Sequence, residues 1–217
     1  ALPIFASDEA KDADKLYDKV REAIDRFIET NEFKVMYTVS GGIVPFAALK
    51  GNQCSEALKL TDFALNEAKK LGRNRCYIFN GETYRKFLRK REITQELREA
   101  VINGFQGFTA FYQPVFAEDK KVPYGAEALM RFTSEKFGMI SPAEFIPILE
   151  KTGLIIPAGR WMMKEAMGKC SEIRKILSGF RMSINISQVQ ASKSDVIQDI
   201  SAEMKRTGLP LEAVIVE

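Results

Sequence analysis

The 217-residue chain contains no histidine. That absence removes Ser-His and Cys-His nucleophilic catalysis, an imidazole general base and the usual histidine-built zinc sites. A catalytic metal must then be held mainly by oxygens of Asp, Glu, Asn or Gln, a donor set that favours Mg²⁺ or Mn²⁺ over zinc. Cysteine is scarce: Cys54, Cys76 and Cys170 are odd in number, far apart and without a Cys-x-x-Cys pair. Neither a disulfide framework nor a cysteine zinc site is indicated, and a reducing, cytoplasmic setting fits. No apolar run approaches the ~18 residues of a membrane span, and residues 1–5 lack the basic start and cleavage pattern of a signal peptide, so a soluble protein without membrane contact is expected. A large excess of one charge is also missing. The 32 Lys and Arg against 29 Asp and Glu leave +3, too little and too mixed in sign to argue for a polymeric nucleic-acid partner.

What is present is ordinary globular composition, with 46% hydrophobic and 28% charged residues. Residues 1–5 read as a short apolar strand already under way. Leu16, Val20, Ile24, Phe27 and Ile28 recur at helical spacing between about Asp12 and Thr30. Residues 34–40 alternate as a strand, and Gly41-Gly42 suggests a break or bulge in the extended segment. A second helix follows from about Ser55 to Leu71, with Leu58, Leu60, Phe63, Ala64 and Leu65 inward and Gly72 as its stop. Residues 75–79 form another strand. Residues 1–80 therefore read as an α/β arrangement around a small sheet. Residues 82–103 are dominated by charge but keep the stripe Phe87, Leu88, Ile93, Leu97, Val101, which makes a connecting helix. Its cluster Arg85, Lys86, Arg89, Lys90, Arg91 interleaves with glutamates and reads as a solvated face.

From Phe108 the rhythm changes. Residues 109–116 and 124–132 are strand-like and joined by a polar, Lys-rich turn, as in a hairpin or adjacent strands. Ser141-Pro142 then opens a helix with serine as N-cap, proline at the first helical position and Glu144 in the first turn. Helices at about 158–177 and 193–207 alternate with strands at 180–186 and 213–217. Strands alternating with long helices imply parallel βα units.

Three strands of this second half end in oxygen ligands: Glu127, Asn185 and Glu217. In parallel βα folds functional groups gather at the carboxyl ends of strands, so the three could converge on one cation; each alone could also be a polar residue where a strand meets a loop. Three such groups beside apolar strand cores, where an unpaired carboxylate is costly, favour the joint reading. Gln113 lies in the segment next to the Glu127 strand. Period-two alternation puts Leu129 and Arg131 on the side of Glu127, where the guanidinium could clamp a phosphate or form a structural salt bridge.

These residues fall in motifs. Gln113-Pro114, Glu127-Ala128-Leu129 with Arg131, the run from Gly138 to Ile148 with Gly153-Leu154-Ile155, and Ile184-Asn185-Ile186-Ser187 resemble the EAL-domain family of cyclic di-GMP phosphodiesterases across residues 106–217. The resemblance implies the first part of a (β/α) TIM-like barrel that hydrolyses cyclic di-GMP to pGpG with Mg²⁺ or Mn²⁺. By position it implies Glu127, Asn185 and Glu217 as metal ligands and Gln113, Leu129 and Arg131 as substrate contacts. The catalytic residues of the family's later motifs are expected downstream of Glu217.

In the first half, residues 38–42 and 61–75 are similar to the closing portion of GGDEF domains, the diguanylate cyclase family, with Asn66 where that family usually has tyrosine. Lys69 and Arg73 match its phosphate-contacting positions; either could equally be a solvated helix-end cation. The GG(D/E)EF signature itself is absent, which excludes cyclase activity from this stretch. The expected organisation is a partial GGDEF-like domain over 1–80, a connecting helix over 81–105 and a partial EAL domain over 106–217. Since residues 106–217 supply less than half of the ~250 residues of a full barrel, the chain reads as an internal segment of a longer GGDEF–EAL protein, itself inactive within an active parent. The rivals are a catalytically degenerate module that senses nucleotide or docks protein, and an unrelated α/β interaction domain. The resemblance further implies GTP as a possible ligand of the first part and a homodimer through the EAL part.

Overall fold

Two three-residue strands and two helices account for most of the order in the first part of the chain. The computed structural model describes residues 10–30, 37–49, 54–118 and 121–217, which fall into two compact units, 1–88 and 89–217. In the first unit, α1 (Ala10–Thr30) is followed by β1 (Gly41–Ile43), α2 (Cys54–Lys70) and β2 (Cys76–Ile78). The strand expected at residues 1–5 lies outside the described residues. Residues 37–40 are not strand, and the glycine pair expected to interrupt a strand forms β1 instead. The reason is a close backbone approach. A Cβ on Gly42 would stand 2.4 Å from the Leu65 amide nitrogen and 2.7 Å from the Thr61 carbonyl oxygen of α2, so only glycine lets this strand lie on that helix.

Parallel pairing of β1 with β2, in register from Gly41↔Cys76 to Ile43↔Ile78, needs a crossover, and α2 supplies it. Its inner face is Leu60, Phe63, Ala64 and Ala68, spaced by three, four and eight residues; Leu58, expected inward, is exposed. Phe63 packs edge-on against Tyr77, Phe79 and Tyr84 and tilted against Phe87. The helix ends in a left-handed turn carried by Gly72, Arg73 and Asn74.

Helix α3 (Gly81–Ile102) runs from the first unit into the second. The Asn80 side chain accepts from the amides of Glu82 and Thr83 and so satisfies donors of its first turn. The second unit continues with β3 (Phe108–Val115), β4 (Gly125–Ser134), β5 (Gly138–Ile140), α4 (Pro142–Thr152), α5 (Ile155–Arg174), β6 (Arg181–Ile184), α6 (Gln188–Lys193), α7 (Val196–Thr207) and β7 (Val214–Val216). The strands form an open sheet in the order β3-β4-β6-β7, with β5 paired to β4. The β3–β4 hairpin is antiparallel, while β4, β6 and β7 are parallel. The sheet does not close into a barrel.

Helices cover one face. Ala126, Ala128, Met182 and Ile184 pack against Met162, Met163, Ala166, Met167 and Cys170 of α5. Farther along, Phe108, Phe132 and Ile140 pack with Ile93 and Leu97 of α3 and Phe145, Ile148 and Leu149 of α4. Burial of several such side chains, each stabilising by roughly 1.5–3 kcal/mol, is the main force holding this unit. Burial pushes the Cys170 thiol pKa up.

Local chemistry explains the remaining departures from the sequence pattern. The helix expected over 193–207 is α7, which starts at Val196 because Asp195 takes the Gln198 amide at 3.0 Å; the short α6 ahead of it was not expected. Ser141 occupies the N-cap and Pro142 the first position of α4 as expected, but the serine makes no side-chain cap bond. Glu144 is instead gripped by Arg89 of α3 through two bonds of 2.8 and 3.0 Å, and the Arg89 hydrogen bond holds its carboxyl below the usual range.

Candidate functional site

Because side chains alternate along a strand, the helix-covered face takes the even-numbered residues of β3, β4 and β6, and the odd-numbered ones project from the open face. That face carries Phe111 and Gln113 from β3, Glu127, Leu129 and Arg131 from β4, and Ser183 from β6. The register places Gln113 opposite Glu127, Phe111 opposite Leu129 and Thr109 opposite Arg131. On the other side Glu127 pairs with Ser183.

Asn185 follows β6 directly and Glu217 follows β7. The Glu217 amide donates to the Ile184 carbonyl at 3.1 Å, and the Ile186 amide to the Glu217 carbonyl at 2.8 Å, which sets Glu217 beside Asn185. The Asn185 amide Nδ2 donates to Glu127 Oε1 at 2.7 Å. Glu127 is not at a strand end, as the sequence suggested: it is the third residue of a ten-residue strand. It reaches the carboxyl edge of its neighbour because β4 runs on past the end of β6, leaving Glu127 level with Ser183 and diagonal to Asn185.

The donors are two carboxylates and an amide. While Asn185 gives its Nδ2 to Glu127, its carbonyl oxygen stays available, so the trio offers hard oxygens only and suits Mg²⁺ or Mn²⁺. Among the described residues no group of three or more His, Cys, Asp or Glu is placed to hold a metal ion; any cation here would be held by the two carboxylates with the asparagine. Glu127 is half-buried, and Asn185 and Glu217 are exposed.

Arg131 forms no ion pair among the described residues. Its Nη1 donates to the Met130 carbonyl at 2.9 Å, and its guanidinium stands 5.5 Å from the centre of the Phe111 ring. Gln113 is exposed and Leu129 half-buried on the same face. Phe111, 46% exposed, was not singled out in the sequence, although the two-residue period that groups Leu129 with Arg131 also places it. Lys69 and Arg73 belong to the first unit, where both are exposed and Arg73 has φ +60°. A cavity of about 340 Å³ lined by Glu96, Glu99, Glu135 and Lys136 lies beyond the far end of β4 and includes none of the candidate residues. Among the described residues, no helix is long and apolar enough to cross a membrane.

The EAL domain family model matches residues 94–217, more than half of the chain and starting within α3, ahead of residue 106. The bifunctional diguanylate cyclase/cyclic di-GMP phosphodiesterase MucR of Pseudomonas aeruginosa is 27% identical over 213 residues, covering 96% of this chain and 30% of MucR. The chain thus spans under a third of that relative's length. Among solved structures, the EAL enzyme Bd1971 in its cAMP-bound form shares 28% identity at a TM-score of 0.54, covering 62% of this chain and 39% of its own. The MucR phosphodiesterase in complex with c-di-GMP shares 27% at 0.51, covering 58% and 50%. A GGDEF-derived origin for residues 1–80 is not shown by these matches. The family model covers nearly all of the second unit, and the chain belongs to the EAL domain family.

Proposed function

We propose that the open face of the second unit is part of a cyclic di-GMP site, and that the full-length protein hydrolyses one phosphodiester of that nucleotide to give pGpG. The observation that carries this reading is the 2.7 Å contact between Asn185 and Glu127, with Glu217 in the adjoining register position, in a chain whose relatives include a cyclic di-GMP phosphodiesterase. Glu127, Asn185 and Glu217 would hold Mg²⁺ or Mn²⁺. When bound, such a cation lowers the pKa of a coordinated water and neutralises charge on the phosphodiester. The chain's own contribution is to place substrate beside these donors. Gln113 presents an amide two residues along β3 from Phe111. Leu129 offers an apolar surface between Glu127 and Arg131, and the Arg131 guanidinium, which pairs with no carboxylate among the described residues, can meet a phosphate.

The test is turnover of cyclic di-GMP to pGpG by the full-length protein with Mg²⁺. Glu127→Ala should lower turnover by about a thousandfold or more, the loss of roughly 4 kcal/mol of charge stabilisation. Turnover unchanged in Glu127→Ala would remove the carboxylate from the site, and no turnover in the unaltered protein would leave a nucleotide-binding module.

A further inference from the structure

The segment that carries Asn185 is short and pinned from outside the site. Only residues 185–187 separate β6 from α6, and Ser187 is the N-cap of that helix. Three interactions fix Ser187. Its Oγ donates to Glu150 Oε1 of α4 at 2.7 Å. The same Oγ accepts from the Val189 amide at 3.1 Å, and the Ser187 amide donates to Gln190 Oε1 at 3.3 Å. Gln190 is itself 2% exposed and lies so close to α5 that a Cβ on Gly159 would stand 1.9 Å from its Nε2. Glycine at 159 is what leaves room for it. The turn is therefore held to α4 by a charge-assisted bond and to α5 by a buried amide, while Asn185, two residues away, reaches back to Glu127.

We propose that Glu150 is a positioning residue for the candidate cation site: by fixing Ser187 it sets where the Asn185 amide stands relative to Glu127. Two hydrogen bonds suffice for the linkage, Glu150 to Ser187 and Asn185 to Glu127, joined by residues 185–187. A turn this short transmits a displacement at Ser187 to Asn185 with little loss, and ligand orientation of this kind is typically worth tenfold or more in metal affinity. The inference rests on the reading of Glu127 and Asn185 as cation ligands.

The experiment is a titration of the full-length protein with Mn²⁺ alone, followed by electron paramagnetic resonance of the free ion, beside thermal melts in excess EDTA. Glu127→Ala is the control and should abolish binding. Glu150→Ala should weaken Mn²⁺ by about tenfold, whereas Glu150→Gln, which keeps an oxygen for the Ser187 hydroxyl, should stay within about threefold of the unaltered protein. If Glu150→Ala does not fold, Ser187→Ala against Ser187→Thr makes the same comparison, since threonine retains the hydroxyl. Loss of binding in Glu127→Ala with full affinity in Glu150→Ala and Ser187→Ala overturns the positioning role alone. Full affinity in Glu127→Ala overturns the ligand reading beneath it. A fall in EDTA melting temperature with unchanged Mn²⁺ affinity makes Glu150 purely structural and likewise contradicts the inference.

Discussion

The two units are built from similar elements but differ in what their strands can carry. In the first, β1 and β2 are three residues each, and the buried hydrophobic residues among those described are Leu60, Phe63, Ala64 and Ala68, all from α2. In the second, β4 is ten residues long and holds a neighbour on each side. Its length allows one face to be buried by α3, α4 and α5 while the other aligns Glu127, Leu129 and Arg131 with Gln113 and Asn185. A long strand with one covered face presents several functional groups in fixed register; a three-residue strand has room for two at most.

Substitutions can break this contrast, from large effects to small. Phe145 is fully buried where α4 meets β3 and β4. Phe145→Ala should destabilise the second unit by about 3–5 kcal/mol and abolish nucleotide binding at 37 °C, measured by denaturant unfolding and titration calorimetry. Gly42→Ala should destabilise the first unit by about 1–3 kcal/mol through the clash with α2. Cyclic di-GMP affinity should stay within about twofold of the unaltered value, and a large loss of binding would show that the site depends on the first unit. Arg131→Ala should weaken cyclic di-GMP by about tenfold, near 1.4 kcal/mol, with melting temperature unchanged.

The smallest effect is electrostatic. Arg89 lowers the Glu144 carboxyl pKa mainly by hydrogen bonding, so this pair stabilises above the ordinary carboxylate range and its contribution disappears as pH falls through that range and below. Melting temperatures of the unaltered protein and Arg89→Ala should therefore differ at pH 7 and converge as pH falls below the ordinary carboxylate range. Both partners are more than a third exposed, which keeps the difference small.

Much of this was legible in the sequence where the signal is local. The helical stripe Ile93, Leu97, Val101 marks α3, Gly208 in a left-handed conformation stops α7, and the alternation around Glu127 gives the face of β4. Three kinds of feature were not legible. Strand β5 is three residues long, too short for any period to register. Helix α6 is only six residues long, and its separation from α7 depends on the Asp195 side-chain cap. The meeting of Glu127 with Asn185 depends on how far β4 overruns β6, and register between strands 58 residues apart is a tertiary property. The same limit hid the link from Glu150 to Ser187, although both residues lie in or beside the motifs that pointed to the family.

The most direct test of the central claim is calorimetric titration of cyclic di-GMP into the full-length protein with Ca²⁺ in place of Mg²⁺ to suppress turnover, followed by a Mg²⁺ chase monitored for pGpG. Saturable binding lost in Glu127→Ala and weakened about tenfold in Arg131→Ala, with pGpG appearing on the chase, is the predicted result. Unchanged affinity in both variants would place the nucleotide elsewhere and contradict the assignment of the open face.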